Sequence, residues 1–182
     1  PLNLEIAPSK EMLKIALKNK PKYVCIVPEK RKEITTEGGL NLNKIKIFLK
    51  SMINKFKEKN IRVSLFIEPR KTDVILAKKL GADCVELHTG KYCNLFNKNK
   101  KNKTEYEKIK KSASLAKKIL LDVHAGHGLT YLTAMKISKI KDISEFNIGH
   151  FIISESIFLG LKDTINEFRR LIEKGRISKW LE

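Results

Sequence analysis

Strand-length apolar runs alternate with amphipathic helical patterns along the whole chain, and this alternation limits the possible folds most strongly. Strands are predicted at residues 2–7, 23–27, 62–67, 83–88, 120–125 and 145–148. Helical patterns begin near residues 9, 45, 72, 104, 130 and 150. Because many of these strands look apolar on both faces, we expect a parallel sheet covered by helices. The predicted class is therefore α/β.

Polar side chains collect at or just beyond the carboxyl ends of the predicted strands. They are Glu5, Glu68, Glu86, His88, His127 and His150. In a closed parallel barrel this end carries the active site, and the loops after the last two strands commonly bind phosphate. A TIM (β/α)8 barrel is therefore the favoured architecture, and an open, doubly wound sheet of six strands is the alternative.

The length of the chain does not suit a complete barrel. Eight strand-helix units need about 250 residues, whereas this chain has six predicted units in 182 residues. It begins at Pro1 and enters a strand almost at once. We therefore expect residues 1–182 to form a single, amino-terminally incomplete barrel domain, equivalent to strands 3 to 8 and the C-terminal helices.

A Gly-His-Gly turn at residues 126–128 is the most suggestive single motif. The apolar residues Leu120, Leu121 and Val123 precede it, and a helical pattern follows it. Glycine allows backbone amides to approach a ligand closely, and the start of a helix favours an anion. Histidine can gain or lose a proton near neutral pH. Taken alone, the motif fits a reactive histidine and a simple tight turn equally well.

The formal net charge of +18 raises the possibility of a nucleic-acid partner, with a basic run at residues 97–103. Only six of the 38 basic residues are arginine, however, although arginine is favoured for reading bases and phosphates. Lysine and asparagine are abundant in every segment. A solvated surface is therefore preferred over an RNA-binding or polyanion-binding module, which stays open as an alternative.

The remaining composition points to an intracellular protein without a metal site. The three cysteines, Cys25, Cys84 and Cys93, are too far apart in sequence for a close metal-binding pair and fit reduced thiols. His124 lies three residues before His127, but no third ligand is evident. Neither a signal pattern nor an apolar run of about 20 residues is present. We expect a soluble, cytoplasmic protein.

Seven ordered motifs together resemble the pyridoxine 5'-phosphate synthase family. They lie at residues 3–5 (NLE), 27–31 (VPEKR), 33–39 (EITTEGG), 63–67 (VSLFI), 86–90 (ELHTG), 125–131 (AGHGLTY) and 147–150 (NIGH). The resemblance covers essentially the whole chain. It implies an eight-stranded barrel whose first two units, with a catalytic histidine and several substrate-binding groups, precede the part seen here.

The resemblance also implies an activity. The family condenses 3-amino-2-oxopropyl phosphate with 1-deoxy-D-xylulose 5-phosphate, forms pyridoxine 5'-phosphate and releases phosphate and water. No metal or organic cofactor is implied, and the expected assembly is a homo-oligomer, an octamer in the family. Another phosphosugar barrel enzyme and a non-catalytic fragment are the remaining alternatives.

Three residues match the family's catalytic positions. Glu5 matches a proton acceptor, His127 matches the proton donor, and Glu86 matches a carboxylate that stabilises a charged intermediate. For both carboxylates, a structural ion pair is the alternative interpretation.

Four further residues match substrate-binding positions. Gly128, Gly149 and His150 match contacts to the aminooxopropyl phosphate, and Thr35 matches a contact to the deoxyxylulose phosphate.

Overall fold

The computed structural model describes residues 1–28 and 38–177. Six strands and eight helices are found there, in this order: β1 (Asn3–Ile6), α1 (Lys10–Asn19), β2 (Tyr23–Ile26), α2 (Leu42–Lys57), β3 (Arg62–Ile67), α3 (Lys71–Leu80), β4 (Cys84–His88), α4 (Gly90–Asn97), α5 (Lys103–Lys118), β5 (Asp122–Gly126), α6 (Tyr131–Ile137), β6 (Glu145–Asn147), α7 (His150–Leu159) and α8 (Leu161–Ile177). All six predicted strands are present.

The order of the strands distinguishes between the two predicted architectures. The sheet runs β1-β2-β3-β4-β5-β6, and every neighbouring pair is parallel. A doubly wound sheet reverses its strand order at a switch point, and no reversal occurs here. The strands form a curled half-barrel, which confirms the prediction of an incomplete TIM barrel.

The two faces of the sheet differ in polarity because successive side chains of a strand point in opposite directions. The outer face is apolar and packs against the helices; it includes Ile6, Val24, Ile26, Val63, Leu65, Ile67, Val85, Leu87, Val123 and Ala125. The inner face carries Glu5, Cys25, Ser64, Phe66, Glu86, His88, His124 and Asn147. The prediction that many strands are apolar on both faces was therefore wrong.

Helix α2 confirms the clearest predicted helix. Leu49, Met52, Ile53 and Phe56 recur at three- and four-residue steps, and all four are fully buried. Burying a side chain of this size contributes about 1.5–3 kcal/mol relative to leaving it in water. Buried stripes such as that of α2 thus build the outer core, and the inner face is left for polar groups.

Two helix ends carry residue types that commonly occupy these positions. The Ser9 side chain accepts a hydrogen bond from the Met12 amide at 3.1 Å, and Gly81 ends α3 in the left-handed conformation with a φ of 92°. Asn102 occupies the N-cap position of α5 without a side-chain bond. Helix α4 was not predicted.

Helix α7 has apolar residues around its whole circumference. Ile153, Ile157 and Phe158 are nevertheless exposed, at 65%, 79% and 83%. Gly160, with a φ of 81°, separates this helix from α8.

None of the helices in the described ranges is long and apolar enough to cross a membrane.

Close packing of α8 on α6 gives the first testable prediction, at Gly175. A β-carbon there would overlap the Met135 carbonyl oxygen and the Ser138 hydroxyl. We expect Gly175→Ala to lower the free energy of unfolding by about 1–3 kcal/mol, the usual cost of overpacking. Urea unfolding measures this, with Lys174→Ala as the control because Lys174 is exposed on the same helix. Equal stability of the two variants would contradict the packing described.

Candidate active site

The Gly-His-Gly turn lies where strand β5 gives way to helix α6, as predicted. Strand β5 ends at Gly126, and α6 begins at Tyr131. Thr130 caps this helix in a reciprocal pair with Thr133, whose hydroxyl accepts the Thr130 amide at 2.7 Å. The helix start is thereby fixed directly after the turn, so His127 is held at the carboxyl end of the sheet.

The backbone of the turn has an unusual conformation. The φ angles of His127 and Gly128 are 75° and 77°, in the left-handed region that few residues other than glycine adopt. The buried hydroxyl of Thr89 lies 2.8 Å from the Gly126 carbonyl oxygen and 2.7 Å from that of His127, so one hydroxyl bridges both acceptors. The Thr89 amide also donates to the Gly126 carbonyl at 2.9 Å. The segment after β4 thus holds the His127 turn in place.

Two imidazole rings lie side by side at the carboxyl end of the sheet. The ring centroids of His88 and His127 are 4.9 Å apart, and Phe66 packs edge-on against His88 at 5.2 Å. Gly90 provides the space for both rings, because a β-carbon there would lie 2.6 Å from His127 Cδ2 and 2.7 Å from His88 Nε2. The first residue of α4 therefore has to be small for the two histidines to sit side by side.

A carboxylate holds the far side of the His88 ring. Glu68 Oε1 lies 3.0 Å from His88 Nδ1 and also accepts the Gly39 amide at 2.8 Å. The hydrogen bond from His88 lowers the pKa of Glu68 to about 2, and the Gly39 amide acts in the same direction. Glu68 is therefore ionised at neutral pH.

Glu86 is a buried carboxyl on the neighbouring part of the inner face. Its Oε2 accepts a hydrogen bond from Asn147 Nδ2 at 2.5 Å and from the Cys25 thiol at 3.4 Å. Burial raises its pKa to about 7, and the negative charge of Glu5 contributes in the same direction. A β-carbon at Gly126 would overlap Glu86 Oε1, so glycine at the end of β5 makes room for this carboxyl.

The pKa of His127, the histidine at the turn, is shifted in the opposite direction. Burial lowers the pKa of His127, and the neighbouring His88 and His150 lower it further by repulsion. The carboxyl end of the sheet therefore combines Glu86, a carboxyl that exchanges protons near pH 7, with His127, a histidine that readily gives up its proton. Such a pair suits acid-base chemistry at neutral pH.

Glu5 lies on the edge strand β1 and is exposed. It is the lateral neighbour of Cys25 on β2, and Cys25 contacts Glu86. Glu5 and Glu86 thus lie on either side of one buried thiol.

The predicted phosphate-binding residues are also found at this end of the sheet. Gly128 is exposed directly after His127, Gly149 occupies the N-cap position of α7, and His150 is the first residue of that helix. Among the described residues, none apart from its neighbours in the chain lies within 4 Å of the position that a Gly149 β-carbon would take. Thr35, the fourth predicted contact, lies outside the described residues.

His124 does not join the His127 cluster. It is buried on the inner face, and its Nδ1 lies 3.6 Å from Glu145 Oε1, beyond hydrogen-bonding distance. Burial lowers its pKa. Within residues 1–28 and 38–177, no group of three or more histidine, cysteine or carboxylate side chains is arranged to hold a metal ion.

Four residues of the site had no role assigned from sequence: Glu68, His88, Thr89 and Asn147. Glu68 and His88 are polar residues at predicted strand ends, and Thr89 and Asn147 lie within the family motifs at residues 86–90 and 147–150. Position in sequence does not reveal that Thr89 bridges two carbonyls or that Asn147 reaches Glu86. Those contacts depend on the parallel register of β4, β5 and β6.

The fold and the site together define an α/β-barrel enzyme whose reactive groups lie at the carboxyl ends of its strands. Comparison with known proteins gives the family. Residues 1–174 match the family described as pyridoxal phosphate biosynthesis protein PdxJ. The chain belongs to this family.

Individual relatives agree with the family match. A pyridoxine 5'-phosphate synthase of Pelagibacter ubique is 59% identical over 172 residues, which are 94% of this chain and 72% of the relative. That of Zymomonas mobilis is 48% identical over 97% of this chain and 68% of the relative. A crystal structure of the citrate synthase SbnG superposes with a TM-score of 0.55 at 10% identity, over 95% of this chain and 73% of the other. The last similarity concerns the fold alone.

Proposed function

We propose that the protein acts as a pyridoxine 5'-phosphate synthase. The reaction condenses 3-amino-2-oxopropyl phosphate with 1-deoxy-D-xylulose 5-phosphate, closes the pyridine ring and releases phosphate and water. Family membership supports this activity. The observation in the fold that carries it is the pairing, at one sheet edge, of a carboxyl whose pKa is raised to about 7 with a histidine whose pKa is lowered.

The proposed roles of the proton-transferring residues are those that the family resemblance implies. His127 is the proton donor, Glu5 is a proton acceptor, and Glu86 stabilises a cationic intermediate when it is ionised. A carboxyl with a pKa of about 7 can also exchange protons during the several eliminations that ring closure requires. Asn147 and Cys25 keep this carboxyl in one orientation, because both donate to the same oxygen.

The proposed phosphate site lies between the turn after β5 and the start of α7. Gly128 has no side chain to block its amide, and Gly149 opens a ten-residue helix whose first amides face the same end of the sheet. His150 adds a group that can carry positive charge. Binding a phosphate dianion here would favour the imidazolium form of His127, which offsets the repulsion from His88 and His150.

Incubation of the full-length protein with both phosphorylated substrates tests the proposal. We expect pyridoxine 5'-phosphate and one equivalent of inorganic phosphate, quantified separately by chromatography and by a phosphate assay. Omission of either substrate is the control and should abolish both products. Turnover of neither substrate by folded full-length protein would contradict the proposed function.

The wider setting follows the same family relationship. We propose that residues 1–182 correspond to strands 3 to 8 of an eight-stranded barrel, that the protein is a homo-octamer, and that it works in the cytoplasm. The three cysteines are buried free thiols, as expected for a reducing compartment. Light scattering on the full-length protein gives the oligomer size directly.

A polyanion-binding role is less well supported. Lys98, Lys100, Lys101 and Lys103 are exposed around the end of α4 and the start of α5. An outer cavity of about 720 Å³ adjoins this region and includes Lys103, Lys110 and Lys139. It is lined by helix and loop residues and contains no group from the inner face. RNA binding that falls steeply with salt and depends on these lysines would favour this alternative.

A further inference from the structure

His88 combines deep burial with an unsatisfied ring nitrogen. Its side chain is 10% exposed, and its Nε2 is buried without a hydrogen-bond partner among the residues that the structure describes. Leaving such a group unpaired forfeits the hydrogen bonds that it makes with water in the unfolded chain. Unpaired buried nitrogens are therefore uncommon, and one at a sheet edge that carries reactive groups points to a ligand.

The other nitrogen of His88 is committed to Glu68. Glu68 Oε1 lies 3.0 Å from Nδ1, and the carboxylate is ionised because its pKa is about 2. An ionised carboxylate can only accept, so Nδ1 carries a hydrogen in both the neutral and the charged imidazole. Any proton that His88 exchanges is consequently the one at Nε2.

The free nitrogen lies beside the turn that carries His127. Gly90 separates the two groups, because its missing β-carbon would touch His88 Nε2 on one side and His127 Cδ2 on the other. The two ring centroids are 4.9 Å apart. A substrate atom above Gly90 would be within reach of both rings.

His124 provides an internal comparison. It is also a buried histidine of the inner face beside a glutamate, but its Nδ1 lies 3.6 Å from Glu145 and its tautomer is not fixed by a hydrogen bond. Its neighbours with charge are Glu145, Arg62 and Asp122, and none of them belongs to the His127 turn. Of these two buried histidines, only His88 has its tautomer fixed by a carboxylate and lies beside the His127 turn.

We propose that His88 is a further catalytic residue, held by Glu68 as the Nδ1–H tautomer so that its Nε2 accepts a proton from the substrate beside His127. The proposal rests on the proposed function and names a residue to which no role is assigned by the resemblance.

The step balances as a loss of water. His88 Nε2 takes a proton from the substrate, and protonated His127 gives a proton to the departing hydroxyl group, which leaves as water. The substrate gains a double bond, His88 becomes an imidazolium and His127 becomes neutral. Transfer of the proton from His88 to His127 through the substrate or a water restores both residues, and the closeness of the two rings disfavours a state in which both are charged.

The first test does not need turnover. Nitrogen NMR of the imidazole rings in the free full-length protein should show His88 as the Nδ1–H tautomer, with an unprotonated Nε2 at high pH. Glu68→Ala should remove the preference for this tautomer, because no acceptor then faces Nδ1, whereas Glu68→Gln should keep it, because one amide oxygen can take the place of Oε1 and accept from both Nδ1 and the Gly39 amide. An Nε2–H tautomer in the unaltered protein would overturn the proposal.

The second test is kinetic and uses the matched histidine. His88→Asn keeps a donor to Glu68 but removes Nε2, and we expect kcat to fall at least about 100-fold, within the range for general acid-base groups. The limb of the pH profile that depends on a base should disappear. The kcat of His124→Asn, in contrast, should stay within about threefold of that of the unaltered protein. If His88→Asn does not fold, Glu68→Ala is the second variant and should also lower kcat, because it removes the acceptor that fixes Nδ1–H.

The outcomes separate the two proposals. Turnover that persists within threefold in folded His88→Asn overturns the role of His88 and leaves the proposed function standing. If the unaltered protein shows no turnover, the proposed function fails, and His88 is judged by NMR. A response of its Nε2 to 1-deoxy-D-xylulose 5-phosphate that His124 does not show supports a substrate contact, and the lack of a response refutes it.

Discussion

Replacing His127 with asparagine should lower kcat about 10²–10⁴-fold without unfolding the protein, because it removes the proposed proton donor. Asparagine is the suitable substitution since the φ of this residue is 75°, and asparagine tolerates the left-handed region better than most residues. The bridge from Thr89 reaches the carbonyl of residue 127 and not its side chain, so it should persist. Steady-state kinetics with both substrates measures the effect.

A neighbouring variant controls for damage to the turn. Leu132→Ala alters an exposed residue in the first turn of α6 and should keep kcat within about twofold. The substrate KM of His127→Asn should change much less than its kcat if the ring acts mainly in the transition state. Full turnover by folded His127→Asn would refute the assignment of His127 as the donor.

Glu86→Gln is expected to stabilise the protein while removing most of its activity. The pKa of Glu86 is raised to about 7 by burial, from an ordinary value of 4.5. Its folded state therefore favours the neutral carboxyl, and its contribution to stability is complete below pH 4.5 and is lost as the pH rises through 7. A shift of this size corresponds in full to about 3–4 kcal/mol.

The measurement is the difference in free energy of unfolding between Glu86→Gln and the unaltered protein. We expect this difference to shift in favour of the variant by about 2–3 kcal/mol between pH 4.5 and pH 8. The comparison is needed because His124 and His127, whose pKa values are lowered, act in the opposite sense over part of this range. A difference that does not change with pH would contradict the burial effect at Glu86.

Although Glu86→Gln should raise stability at high pH, it should lower the activity of the enzyme. The glutamine oxygen can still accept from Asn147 and Cys25, so the local structure should be kept, but the side chain can neither ionise nor exchange a proton. We expect kcat to fall by at least about 100-fold at all pH values. Full activity in the variant would show that Glu86 is only a packed, hydrogen-bonded carboxyl.

Much of the fold could be predicted from the sequence because its signals are local. The apolar runs of the six strands, the stripe of α2 and the glycine at the end of α3 depend on neighbours within one or two turns. Helix α4 has only eight residues and begins at a glycine, so its pattern is too short to stand out. The error about the strand faces arose because Cys25, Phe66 and Cys84 are apolar residues that lie on the inner face among polar ones.

The site was predicted as a set of residues and not as a set of contacts. His127, Gly128, Gly149, His150 and Glu86 are indeed found at one end of the sheet. Their interactions could not be predicted, because the partners of His88 and Glu86 come from other strands through the register of the sheet. Glu68, for example, reaches His88 across 20 residues of sequence, and Asn147 reaches Glu86 across 61.

The most direct test of the central claim is a crystal structure of the full-length protein with pyridoxine 5'-phosphate. We expect the phosphate within hydrogen-bonding distance of the Gly128 and Gly149 amides, and the pyridine ring between His127 and Glu86. A phosphate bound instead in the outer cavity lined by Lys110 and Lys139, with the inner face empty, would contradict the account.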